Sequence, residues 1–196
     1  MAQWLNLLAW LACVIYATIP AFWLMVHPRA DYWRSRRRSP YRTLLPTWIV
    51  IWIVLGWLTS RWRHALLYSN AWTWVPAVLL FSIGLWIYSR SGKGFSRAQL
   101  GGLPELLPAH DEQRLVMIGI RSRVRHPIYL AHLCEMLAWS VGTGLAVCYG
   151  LTAYAVIVGT IMVRQEDVEL EQRFGEEYKR YRKSVPTILP RIFKKD

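Results

Sequence analysis

Long stretches without a formal charge constrain this chain more than any other feature. Residues 1–28 contain no Lys, Arg, Asp or Glu, and neither do residues 43–60 or 64–89. Residues 126–163 contain one, Glu135. A helix of about 20 apolar residues crosses the hydrocarbon core of a bilayer. Inside lipid the backbone must satisfy its own hydrogen bonds, which leaves helices or closed barrels. The runs carry no strict two-residue alternation, so they read as helices. Five spans are expected, at about residues 3–26, 44–59, 71–88, 127–141 and 145–163. Gly142-Thr-Gly144 supplies the tight turn between the last two. The fold class is therefore all-α: a polytopic membrane helical bundle of about five transmembrane helices, followed by a C-terminal amphipathic helix. Pro20 is placed to kink the first span. The first residues lack a basic region and a small-residue cleavage site, and read as a retained helix and not a signal peptide.

The formal net charge of +12 could point to nucleic acid, but the positions of the charges point to a membrane. Of the 24 Lys and Arg residues, six lie between the first and second spans, seven between the third and fourth, and nine after the fifth. Only Arg61 and Arg63 lie elsewhere. An odd number of spans puts all the crowded segments on one side. The positive-inside rule makes that side cytoplasmic, with the N-terminus outside and the C-terminus in the cytoplasm. The excess charge then meets anionic lipid, and nucleic acid is not required. Cys13, Cys134 and Cys148 fall within apolar runs and read as small buried residues, not disulfides or metal ligands.

Two polar stretches frame the last pair of spans. Gly119-Ile-Arg-Ser-Arg-Val-Arg-His-Pro-Ile-Tyr129 sets Arg121, Arg123, Arg125 and His126 just before the fourth span. Pro127 suits a first helical position. A cation cluster there serves as a topology anchor, which leaves the His-Pro-x-Tyr unexplained. Arg164-Gln-Glu-Asp-Val-Glu-Leu-Glu171 follows the fifth span, and Glu166 and Glu169 share a helix face by spacing. A charge run after a span can equally be a solvated face. The two stretches are expected to close over one site. Within the fourth span, His132 and Glu135 also share a face. A carboxylate at that depth costs at least about 2.5 kcal/mol, so Glu135 requires either a structural partner on another helix or a polar cavity. Gly92-Lys-Gly-Phe-Ser-Arg-Ala-Gln99 is neither a Walker loop nor a dinucleotide fingerprint. In the tail, Phe174, Tyr178, Tyr181 and Val185 repeat at helical spacing, with Glu169–Arg173 and Glu176–Arg180 as i,i+4 pairs. That helix is expected to lie on the membrane surface or pack under the bundle.

In family order, the chain carries Gly-x-x-Phe-Ser at Gly92 to Ser96, Leu115-Val116 before Gly119, and Val124-Arg-His-Pro-Ile-Tyr129. Arg164-x-Glu166-Asp167, Phe174-Gly-Glu-Glu-Tyr178, Tyr181 and Val185-Pro-Thr-Ile-Leu-Pro190 follow. With these pieces it resembles the isoprenylcysteine carboxyl methyltransferase family of integral membrane enzymes, to which the phospholipid N-methyltransferases are related. The resemblance covers roughly the C-terminal half. Arg121 stands where the family often has tyrosine, and Asp167 where glutamate is usual. The resemblance implies S-adenosylmethionine bound by Gln99, Leu115, Val116, Gly119, His126, Pro127, Ile128, Tyr129 and Glu166 at the cytoplasmic face. A lipophilic small-molecule or prenylated acceptor would enter from the bilayer.

Methyl transfer from a sulfonium removes charge, so a dry site and positioning carry the catalysis. A carboxylate acceptor needs an orienting cation, and a guanidinium matches it with two prongs. Arg164 and Glu166 are the catalytic candidates, with Arg164, Glu135 and His132 toward the acceptor. No metal is implied. An amine acceptor would instead need proton removal and give Glu135 or Glu166 that task. The rival readings are a lipid-amine N-methyltransferase, a membrane reductase using a nicotinamide cofactor, and a non-catalytic membrane protein. One integral domain is expected, with residues 1–90 forming the first three helices and residues 91–196 the methyltransferase core.

Overall fold

The computed structural model describes residues 2–35, 39–92, 106 and 114–190. Helix α1, Ala2–Val26, contains Pro20 and continues through a 3-10 turn, His27–Arg29, into the short α2, Ala30–Arg34. The next helices are α3, Tyr41–Thr59, and α4, Trp74–Ser91. The hairpin α5, Pro127–Thr143, and α6, Ala146–Phe174, follows, and α7, Glu176–Ser184, closes the order. Among the described residues the extended pairing is a single bridge, Leu66 with Leu145.

Four segments are long and apolar enough to cross a membrane: Gln3–Arg34, Tyr41–Trp62, Ala71–Ser91 and Ala146–Phe174. The expected fourth span is α5, which has 17 residues. At 1.5 Å per residue it is roughly 25 Å long, less than the ~30 Å hydrocarbon core. Its limits are set locally. Pro127 opens it, and Gly144 closes it in the left-handed region at φ 69. A Cβ at Gly144 would sit 2.3 Å from the Tyr68 carbonyl oxygen, so this cap admits only glycine. The connector after α3 seals the hairpin there. Leu67 N–H donates to Gly144 O at 2.8 Å and Ala146 N–H to Ala65 O at 2.9 Å.

Helix α1 packs on α3, α5 and α6, and α5 also packs on α4 and α6. Small residues allow the close approach of α1 and α6: Ala9, Cys13 and Ala17 meet Met136, Cys148 and Leu151 in one buried cluster. All three cysteines are free and buried. Helix α3 leaves Ile49, Val50, Ile53, Val54 and Trp57 exposed, an apolar face suited to lipid. Gly84 lets α4 approach α5, since a Cβ there would lie 3.0 Å from Glu135 Cγ and 3.3 Å from Ala131 O.

The C-terminal region differs from expectation in one respect. Helix α6 does not end near residue 163 but runs unbroken through the acidic stretch to Phe174. The acids find cationic partners along its sides, described below, so the helix has no reason to stop. Gly175, at φ 56, turns the chain into α7. Phe174 is thus the last residue of α6, and not part of the helix that carries Tyr178 and Tyr181. Tyr178, Tyr181 and Val185 are buried together against Leu115, Met117, Leu170 and Phe174. The tail helix therefore packs under the bundle. The Glu169–Arg173 pair forms at 2.5 Å on α6, not on the tail helix, where Glu176 pairs with Lys179 at 2.7 Å.

Candidate functional site

At the start of α5, Arg125 and His126 precede the proline and lie outside the helical hydrogen-bond ladder. Their N–H groups are satisfied by the returning tail. Arg125 N–H donates to Pro186 O at 2.9 Å and His126 N–H to Thr187 O at 3.0 Å. The Val-Pro-Thr of the tail motif thus clamps the Arg-His-Pro motif. The buried Arg125 guanidinium completes the clamp. It donates to Val185 O at 2.7 Å, Arg182 O at 3.0 Å, Thr187 Oγ1 at 3.0 Å and Asp167 Oδ2 at 2.8 Å. Asp167 also accepts from the Tyr178 hydroxyl and lies 3.1 Å from His126 Nε2.

Glu166, one residue earlier, faces the other ring nitrogen. His126 Nδ1 lies 3.2 Å from Glu166 Oε2, at an angle outside hydrogen-bond geometry, so that oxygen is buried without a hydrogen bond. Burial opposes a charge on His126, but the Glu166 and Asp167 carboxylates prevail and raise its pKa from 6.5 to about 9. Near neutral pH the ring is an imidazolium, with Nε2 in hydrogen-bond reach of Asp167 and Nδ1 beside Glu166. Burial draws the Arg121 guanidinium below its usual range, against the pull of Glu166.

A second group of charges reaches the same helix from the N-terminal part of the chain. Glu169 accepts from Arg34 of α2 and from Arg173 at 2.5 and 2.6 Å. His27, stacked on Trp23 with centroids 5.4 Å apart, stands between the two glutamates. Its Nε2 is 3.9 Å from Glu166 Oε2 and its Nδ1 is 3.8 Å from Glu169 Oε2. Sequence reading did not identify His27 or the buried role of Arg125; Arg34 stood out only as one of the arginines near a span end. The available signal was a histidine and an arginine at the exit of the first span, opposite the unpaired acids at the exit of the last.

The structure brings together His126 and Glu166, as the two stretches promised. Pro127 is buried at the first helical position, with Ile128 and Tyr129 in the first turn. A row of side chains continues down the same face of α5. Tyr129 lies 5.9 Å from His126 and 6.2 Å from His132, ring to ring. His132 meets Tyr16 at 5.2 Å and Tyr88 at 5.5 Å, and the Tyr16 hydroxyl donates to Glu135. Glu135 therefore has a partner on another helix, one of the two alternatives its depth allowed. Arg164 is exposed. It is roughly 200° round the helix from Glu166 at 3.6 residues per turn, and it has no hydrogen bond or ion pair among the described residues. Leu115 packs on the Tyr178 cluster, Val116 is half-buried beside it, and Gly119 is exposed with φ 64. Gln99 lies outside the described residues.

The residues present fit a nucleotide-like sulfonium cofactor on two observations. Leu115, Val116 and Met117 lie outside any helix and make no main-chain hydrogen bond among the described residues, which leaves peptide groups for a base. Glu166 offers a carboxylate for amino or hydroxyl groups beside them, its side chain 19% exposed.

No family model matches the chain, and no solved structure matches it. Curated relatives do. A protein-S-isoprenylcysteine O-methyltransferase of Homo sapiens is 36% identical over 87 residues, covering 42% of this chain and 29% of the human protein. Protein-S-isoprenylcysteine O-methyltransferase A of Arabidopsis thaliana is 36% identical over 81 residues, 39% of each chain. A delta(14)-sterol reductase of Mus musculus is 31% identical over 106 residues, covering 52% of this chain and 25% of the mouse protein. The chain thus spans well under half the length of these relatives.

Proposed function

We propose that this chain, a member of the isoprenylcysteine carboxyl methyltransferase family, is an integral membrane methyltransferase. It moves a methyl group from S-adenosylmethionine to a lipophilic acceptor, a carboxylate of the isoprenylcysteine type. The observation that carries this reading is the convergence of the family motifs on one carboxylate: His126 opposes Glu166, and the Val-Pro-Thr tail fixes His126. When bound, S-adenosylmethionine supplies an electrophilic methyl on a sulfonium.

The chain's own residues do the rest. Leu115, Val116 and Gly119 line the cofactor's side, with Pro127, Ile128 and Tyr129 at the helix start and Gln99 from the third loop. Glu166 holds polar groups of the cofactor. The row Tyr129, His132 and Glu135 continues from the site into the bundle and lines the path of a lipid-borne acceptor. Arg164, exposed where α6 leaves its apolar part, faces away from Glu166, so its guanidinium fork would serve only an acceptor carboxylate that reaches α6 from that outer face. A carboxylate is ionised at neutral pH and needs no general base. The site faces the cytoplasm, and the chain acts as one domain, because His27 and Arg34 carry the N-terminal part onto the acids of α6.

The sterol reductase match supports a second reading, a membrane reductase using a nicotinamide cofactor. Calorimetric titration of the purified chain separates the two. The methyltransferase binds S-adenosylmethionine and the reductase binds NADPH. The expected result is S-adenosylmethionine binding that His126→Ala and Glu166→Ala each abolish in folded protein. Unchanged affinity in both variants removes the site assignment. With binding established, a panel of prenylcysteine carboxylates and lipid amines identifies the acceptor class.

A further inference from the structure

Glu166 meets two imidazoles, and both address the same oxygen. His126 Nδ1 is 3.2 Å from Oε2 and His27 Nε2 is 3.9 Å from it. That oxygen is buried and makes no hydrogen bond. The other oxygen, Oε1, has neither a hydrogen bond nor an ion pair among the described residues, and it is not buried. The carboxylate is thus held by one edge, with the other edge open.

The two imidazoles come from opposite parts of the chain. His126 caps α5, whereas His27 sits in the 3-10 turn between α1 and α2. His27 is itself held firmly. It is 5% exposed, its ring stacks on Trp23 at 25°, and the following α2 is tied to Glu169 through Arg34. Its Nδ1 is buried without a hydrogen bond, 3.8 Å from Glu169 Oε2. Both His27 contacts exceed direct hydrogen-bond reach. In a dry setting a ring N–H dipole aimed at a carboxylate still acts strongly. A core histidine placed only to fill space has no need of an acid beside each nitrogen, at 3.9 Å from Nε2 and 3.8 Å from Nδ1.

We infer that His27 is a positioning residue that acts through Glu166, fixing its carboxylate so that Oε1 is presented to the cofactor. The N-terminal helix thereby contributes to the site, and its last turn sets the rotamer on which cofactor affinity depends. This inference rests on the methyltransferase reading.

Three substitutions in the full chain, purified in detergent micelles, test it by calorimetry with S-adenosylmethionine. His27→Phe keeps the ring stack and removes the nitrogens. His27→Gln places an amide N–H where Nε2 faces Glu166. His27→Asn places one where Nδ1 faces Glu169. Affinity should fall on the order of tenfold in His27→Phe, return toward wild type in His27→Gln, and stay low in His27→Asn. Unchanged affinity in His27→Phe overturns the inference. Equal recovery by Gln and Asn, or recovery by neither, also overturns it, since each assigns His27 a packing role. Thermal unfolding reports whether each variant folds. If His27→Phe does not, Gln against Asn decides alone: equal affinities overturn the inference, and a weaker Asn sustains it. A wild-type chain that binds no S-adenosylmethionine removes the methyltransferase reading itself, an outcome distinct from all of these.

Discussion

Glu166 and Asp167 are neighbours with different freedoms. Asp167 is saturated by Arg125, His126 and Tyr178. Removing its charge leaves Arg125 buried without its acid, and breaking a buried pair costs roughly 3–5 kcal/mol. Asp167→Asn should therefore lower the unfolding temperature far more than Glu166→Gln, as differential scanning fluorimetry in detergent will register. His126 links stability to pH. Its pKa is raised from 6.5 to about 9 in the folded state, so the folded protein binds the proton more tightly than the unfolded chain. That contribution is complete below about pH 6.5 and is lost as pH rises through about 9, on the order of 3 kcal/mol by 1.36 kcal/mol per unit. Unfolding temperature should fall across this window in the wild type, and the slope should flatten in His126→Gln. An equal slope in both would show that another group titrates. Arg164 belongs to the acceptor in the proposed mechanism. Arg164→Lys keeps the charge but loses the fork, so turnover of a prenylcysteine carboxylate should drop while cofactor affinity stays within a few-fold. Full activity of Arg164→Lys would instead mark it as a boundary anchor.

Among the elements, the contact of α4 with α5 turns on a single missing side chain. A Cβ added at Gly84 would lie only 3.0 Å from Glu135 Cγ, and that carboxylate is held by Tyr16 of α1. Gly84→Val should force the helices apart and cost about 1–3 kcal/mol, the usual range for overpacking. A thermal shift no larger than that of a lipid-facing control such as Val78→Ile would contradict the contact. The start of α5 at Pro127 was legible in the sequence, because proline acts through local backbone geometry; its end was expected near Val141, whereas Gly142 and Thr143 continue the helix and only Gly144 turns the chain. The length of α6 was not legible either. A hydrophobicity pattern ends where the apolar run ends, near residue 163, whereas the helix continues as long as partners exist for its acids. Those partners, His27, Arg34 and Arg125, are remote in sequence. The pairing of His126 with Glu166 was legible because the motifs name both residues. Their support by His27 was not, since no local pattern marks a histidine that will meet an acid on a distant helix.

For the whole molecule, orientation depends on how many of the helices cross. Four segments qualify by length and apolarity, and an even number would put both ends of the chain on one side. Helix α5 decides the parity. It has 17 residues, at the lower end of the length that crosses, and it runs antiparallel to α6 with a left-handed glycine cap between them. Its two ends therefore lie at opposite ends of the bundle: His126 is beside the α6 acids, and Gly144 is beside the 64–70 connector. The residues between α3 and α4 hold just Arg61 and Arg63 of the 24 basic residues. If α5 crosses with its neighbours, five crossings separate the termini, and the 22 remaining basic residues share one side. The positive-inside rule makes it the cytoplasm. Single cysteines at Ser69 and Ser184, introduced after the three native cysteines are replaced, report the two faces. A membrane-impermeant thiol reagent on intact cells should label the cysteine at 69 and spare the one at 184 until the membrane is opened. Labelling of both positions from the same side would exclude the five-crossing arrangement, and labelling of the cysteine at 184 on intact cells would exclude a cytoplasmic site.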